Sequence, residues 1–143
     1  MNEPVAPRRD FAAFAVVVAF CVAWFMSLGG YNVINPLNIS WMLAGDWHGH
    51  LFGWLFTRNG PWTLPLGLAP DLMYPFGTSA AFTDAIPIAS VATKVFSNSL
   101  PLEFQFFGPW LLTCVIAQGV VGLQLMRCWT KDAAVTAMAG MLC

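Results

Sequence analysis

Asp46 and His50 stand four residues apart in Leu43–Asn59, LAGDWHGHLFGWLFTRN. In a helix this spacing puts a carboxylate and an imidazole on one face, one turn apart. Such a pair can do acid–base work: the carboxylate accepts a proton or holds a cation, and the imidazole orients it or tunes its pKa. Asp84 is a second acid outside the apolar runs, and Arg58 and Lys94 are cations that can meet an anionic group, one as a fork and the other as a point charge. Each also has a plainer reading. Asp46 follows Gly45 and can cap its own helix, and Asp84 gains stability at a helix N-terminus. Arg58 complements a helix C-terminus, Lys94 snorkels to a membrane boundary, and His50 sits satisfied at an interface. His48 and His50 are not read as a metal pair, because positions i and i+2 of a helix point apart.

The element that must position this chemistry is a helix over residues 45–58. Asp46, Gly49, His50, Gly53 and Thr57 share one face; Trp47, Leu51, Trp54, Leu55 and Arg58 follow on the neighbouring one. Tryptophan favours the membrane–water boundary, since its ring is apolar and its N–H is not. The helix is therefore expected to lie flat at a bilayer surface with Asp46 and His50 turned inward, or to serve as an anchor and nothing more.

A membrane setting follows from composition. Of 143 residues, 58% are hydrophobic and only 9% charged, too few charges to cover a water-facing surface. Mean hydropathy is +0.66. The net charge of -1 leaves no basic patch, so nucleic acid is not expected as a partner. Cys21, Cys114, Cys128 and Cys143 form no C-x-x-C pair and imply neither a zinc site nor a disulfide framework. No G-x-S-x-G, P-loop or H-E-x-x-H motif is present.

The predicted fold is all-α and integral to the membrane. Residues 1–10 form a polar, cytoplasmic head, and residues 11–28 a first transmembrane helix of eighteen uncharged residues. Arg8 and Arg9 before it keep the N-terminus in the cytoplasm by the positive-inside rule; a twin-arginine export signal is the rival reading of the same residues. Gly29-Gly30 ends the span and opens an extracytoplasmic loop over residues 29–83. Prolines at 61, 65, 70 and 75 forbid a regular helix after Asn59, and such backbone belongs outside lipid. Thr83 is expected to cap a short or re-entrant helix over residues 84–96, although a span reaching back to Phe76 is also open. Residues 106–126 are a second clear transmembrane helix, whose Gln118 and Gln124 should face other helices and whose Gly119 and Gly122 allow close approach. Arg127 and Lys131 should be cytoplasmic. Residues 132–143 begin a further helix, and the chain reads as the front of a longer multi-pass protein.

Three segments carry a family resemblance: Gly45–Gly67, GDWHGHLFGWLFTRNGPWTLPLG; Tyr74–Pro87, YPFGTSAAFTDAIP; and Phe104–Leu112, FQFFGPWLL. In this order they resemble the bacterial domain of unknown function 6311, a family of multi-pass membrane proteins similar to GT-C glycosyltransferases. The resemblance implies transfer of a sugar from a polyprenyl-phosphate donor at the bacterial inner membrane, with membrane lipid as surroundings. It places Asp46 where GT-C enzymes carry an essential acid, on the first extracytoplasmic loop. Asp46 would then be the base for the acceptor hydroxyl or a ligand for a divalent metal, with His50 orienting it and Asp84 as a second acid. Arg58 and Lys94 would meet phosphate, and Trp47 and Trp54 would border a sugar or a lipid tail. The family is several times longer than this chain, so the fragment alone is expected to be inactive. Two other classes stay open: a non-enzymatic membrane subunit and a piece of a transporter.

Overall fold

The computed structural model describes residues 7–83 and 85–142, and only the backbone of residues 7–10. The expected head over residues 1–10, the arginine pair within it, Asp84 and Cys143 lie outside these residues or outside their described side chains. The chain is mostly helical, with a small two-stranded sheet inside the segment expected to be loop. It divides into two compact units: Met1–Ile34 with Phe107–Cys143, and Asn35–Phe106.

The first unit is built on three helices, α1 (Pro7–Phe25), α5 (Phe107–Met126) and α6 (Ala133–Leu142). The first apolar run does not stop at Gly29. A π-turn over Met26–Gly30 kinks it, with Gly29 at φ 91°, and the chain re-enters a helix, α2 (Tyr31–Ile34). One residue in the left-handed region breaks the regular ladder without ending the apolar stretch, so the loop begins at Asn35 rather than Gly29. Phe11–Ile34 and Phe107–Met126 are both long and apolar enough to cross a membrane, and only 17% of the most apolar stretch of each is buried. The core is a seam of Ala13, Val17, Cys21, Leu123 and Ala137. Glycine sets its depth: a Cβ on Gly119 would lie 2.7 Å from Cys21 Sγ and 3.0 Å from the Gly140 carbonyl oxygen. Asp132 opens α6 by accepting from the Ala134 and Val135 N–H groups at 2.8 and 3.4 Å. Gln118 and Gln124 are exposed, because glycine and Leu123 occupy the packed stripe of α5 that they were expected to share.

The second unit is centred on α3 (Trp47–Asn59). A hairpin of β1 (Leu68–Ala69) and β2 (Thr78–Ser79) follows, then a 3-10 turn over Ala80–Thr83 and α4 (Pro87–Lys94). Helix α4 starts at Pro87, whose fixed φ and missing N–H suit a first turn, and Thr83 instead bonds back to the Ala80 carbonyl at 2.6 Å. With eight residues it reaches about 12 Å, far short of a bilayer core. Gln105 closes the unit: its N–H donates to the Pro36 carbonyl and its side-chain amide to the Asn35 carbonyl, both at 2.8 Å.

Candidate functional site

Helix α3 begins at Gly45-Asp46, and the way it begins determines what Asp46 can do. Gly45 takes φ +64°, which turns the chain into the helix. An N-cap residue usually has extended backbone and returns its side-chain oxygen to an N–H of the first turn. Asp46 has helical backbone, φ −74° and ψ −15°, and makes no capping hydrogen bond; its own carbonyl accepts from Gly49 N–H at 3.2 Å, and the His48 ring contacts the Gly45 carbonyl. The Asp46 side chain is exposed and has no capping duty.

Beside it runs a short aromatic row. Trp41 meets Trp47 edge-on at 5.1 Å, and Trp47 meets the His50 ring at 5.1 Å. The Trp41 indole N–H is buried with no hydrogen-bond partner among the described residues. His48 packs edge-on against Phe52 at 5.9 Å, away from any metal geometry. Among the described residues no three His, Cys, Asp or Glu side chains converge.

At Gly49 and Gly53 the face that Asp46 and His50 begin is a packing seam. A Cβ on Gly53 would lie 2.0 Å from Thr83 Oγ1 and 2.7 Å from Ala85 Cβ, and Gly49 approaches the Thr83 carbonyl. Thr57 is buried and donates to the Gly53 carbonyl at 2.8 Å. Gly49-x-x-x-Gly53 was the signal for this seam in the sequence, since small residues four apart let backbones approach. Two grooves in this chain lie elsewhere. One of about 330 Å³ runs between α3 and Asp71, lined by Phe52, Leu55 and Phe56; one of about 420 Å³ in the first unit is lined by Phe20, Trp24 and Gln118. Asp46 lines neither.

The remaining candidates are structural anchors of the second unit. Trp54 is 0% exposed; its indole N–H donates to the Phe104 carbonyl at 3.0 Å and its ring meets Phe106 edge-on at 5.3 Å. Arg58, in the last turn of α3, donates to four carbonyls beyond α4: Ser97, Leu100, Pro101 and Leu102, at 3.2, 2.5, 2.6 and 3.3 Å. Lys94, in the last turn of α4, reciprocates on the chain just beyond α3, donating to the Gly60 and Pro61 carbonyls at 3.0 and 2.9 Å. Its ammonium also lies 4.8 Å from the centre of the Trp62 ring. Burial holds the Lys94 pKa below the ordinary lysine value. The expected dipole role of Arg58 is thus extended to a second loop, and Lys94 grips backbone where snorkelling to lipid was one expectation. The structure brings the Trp47 and His50 rings together one turn into the helix that Asp46 begins; it sets Trp54, Arg58 and Lys94 to work in packing, and Asp84 is outside the described residues.

No curated protein and no solved structure matches the chain. The family model described as "Domain of unknown function (DUF6311)" matches residues 18–143, nearly the whole chain, and the protein belongs to that family.

Proposed function

We propose that this chain is the N-terminal part of a multi-pass membrane glycosyltransferase of the GT-C kind, taking a sugar from a polyprenyl-phosphate donor. The membrane setting is supported by two long apolar helices whose surfaces the fold leaves largely uncovered. Val33 and Gly108 are in contact, so α2 and the start of α5 lie at one end of the first unit. Arg8 and Arg9 precede the first span, and Arg127 and Lys131 follow the second. With both spans crossing, these cations fall on one side, which the positive-inside rule makes the cytoplasm of a bacterial inner membrane.

The observation that carries the enzymatic reading is the Asp46 carboxylate, exposed at the start of α3 and without a capping hydrogen bond. In the proposed reaction it takes the proton of the acceptor hydroxyl as that oxygen attacks the anomeric carbon. The bond from that carbon to the donor phosphate breaks, and polyprenyl phosphate leaves. Trp47, next to the acid in the chain, and the His50 ring tilted against it offer aromatic surface for a sugar ring. Arg58 and Lys94 hold the fold in this reading. In the full-length protein, Asp46→Asn is expected to lower sugar transfer from a polyprenyl-phosphate donor by about 10²-fold or more, the scale of a lost general base, without changing thermal stability. Undiminished transfer rejects the assignment.

The engagement of Arg58 and Lys94 with backbone carbonyls favours a second reading, a non-enzymatic membrane subunit, because it occupies the two cations expected to meet the donor phosphate. In that case Asp46→Asn leaves function intact.

A further inference from the structure

Between Gly60 and Thr83 the only charged residue is Asp71. Pairing of Leu68 with Ser79 and of Ala69 with Thr78 makes residues 70–77 the tip of a hairpin. Its base is fixed by backbone bonds: Leu72 N–H donates to the Ala69 carbonyl at 3.2 Å, Phe76 N–H to Met73 at 3.1 Å, and Ala80 N–H to Gly67 at 2.7 Å. Gly77, at φ +68°, lies so close to Pro70 that a Cβ there would be 3.1 Å from its Cα. From this frame Met73, Tyr74 and Phe76 project with 71, 83 and 92% of their surface exposed. Asp71 borders the groove over α3 instead.

The tip holds the turn formers Pro70, Asp71, Pro75 and Gly77, yet it also presents three large side chains, Met73, Tyr74 and Phe76, outward, more apolar surface than a turn in water needs. The covering partner has to be apolar and uncharged, and chain continuity identifies it. The second unit joins the spanning helices directly, at Ile34–Asn35 and at Phe106–Phe107. The contact between Val33 and Gly108 makes both tethers leave the same face of the membrane. A tyrosine and a phenylalanine on a tip whose one charge, Asp71, borders the groove over α3 suit the headgroup–acyl boundary, where an apolar body is buried and a polar end stays wet. We infer that the 70–77 tip is a membrane anchor, entering that boundary of the same bilayer the two helices cross. The inference rests on the membrane-spanning reading and is independent of any catalytic role for Asp46.

The test uses the full chain in lipid nanodiscs, with its native cysteines replaced and one cysteine introduced by Phe76→Cys, or in a second variant by Met73→Cys. Each is labelled with an environment-sensitive fluorophore, and Asn98→Cys, on an exposed polar turn, is the reference. Nitroxide on the upper acyl chain is expected to quench the label at position 76 or 73 about threefold more than at position 98, and aqueous iodide to do the reverse, as depth at the boundary requires. Equal nitroxide quenching with free iodide access at both tip positions overturns the anchor. Shielding from iodide without nitroxide quenching, relieved on dilution to one chain per disc, assigns the tip to a second copy and also overturns it. Extraction of the chain by alkaline carbonate removes the membrane-spanning reading itself and the anchor with it. Loss of transfer in Asp46→Asn with tip quenching unchanged leaves the anchor standing.

Discussion

The two units solve the same backbone problem in opposite ways. In the first, the helices satisfy their own N–H and C=O groups along most of their length, and side chains have only to pack. The seam of Val17, Cys21, Gly119, Gly140 and Leu123 needs no charge. In the second, prolines and turns leave carbonyls with no ladder partner, and two long cations reach across to them. Arg58 gathers the carbonyls after α4, while Lys94 gathers those after α3. A chain poor in charge has placed two of its few cations where irregular backbone demanded donors. Regular structure can be held by shape, but irregular structure of this kind requires specific hydrogen bonds.

The contrast is broken most severely at Arg58. Arg58→Met keeps an apolar stem and strands several carbonyls, so the second unit should lose on the order of 3 kcal/mol, the scale of charged hydrogen bonds removed from partly buried acceptors. Denaturant titration in detergent, followed by tryptophan fluorescence, to which the second unit contributes Trp41, Trp47, Trp54 and Trp62, reads this loss, while helical circular dichroism from the two long apolar helices should persist. In the first unit the matching break is steric. Gly119→Ala puts a methyl 2.7 Å from Cys21 Sγ, and overpacking of this kind should lower the unfolding midpoint of the three-helix unit by about 1–3 kcal/mol equivalent. If Gly119→Ala destabilises the second unit and spares the first, the division into shape-held and bond-held regions fails.

The smallest effect sharpens the comparison through pH. The Lys94 pKa is lowered in the fold by burial, so the folded state releases this proton before the unfolded chain does. Between the lowered value and the ordinary lysine value of 10.5, the unfolded chain binds more protons, and stability of the second unit rises with pH. Lys94→Arg does not titrate in that window, so the wild-type stability minus that of the variant should climb as pH approaches 10.5 from below. A flat difference would show that Lys94 keeps its ordinary pKa.

Much of the architecture was readable from the residues. Long uncharged runs marked both candidate spans, and helical spacing located α3 to within two residues at its start. The continuation of the first helix through Gly29 was not readable, since a glycine pair looks like a stop and only one residue of it leaves the helical region. Trp54 and Trp62 look alike in the sequence, yet one is fully buried and the other exposed, because burial depends on the return of Phe104 and Phe106 from far along the chain. The work of Arg58 left no pattern at all, as its partners are main-chain oxygens and every residue has one. At the candidate site, spacing set Asp46 and His50 on one face and Trp47 on the next, and the contact of the Trp47 and His50 rings across the two faces was not readable from it. The packing of the Gly53 and Thr57 face was missed because polar and small residues were read together as an open surface.

Arg58 binds oxygens that lie 39 to 44 positions later in the chain. During synthesis its guanidinium therefore emerges long before its partners exist, and the grip closes only once residue 102 has been made, as the second apolar helix is about to follow. Assembly of the second unit is thereby completed only as synthesis of that helix begins, and a ribosome paused in between holds a half-finished unit whose Arg58 has part of its carbonyl set still unmade.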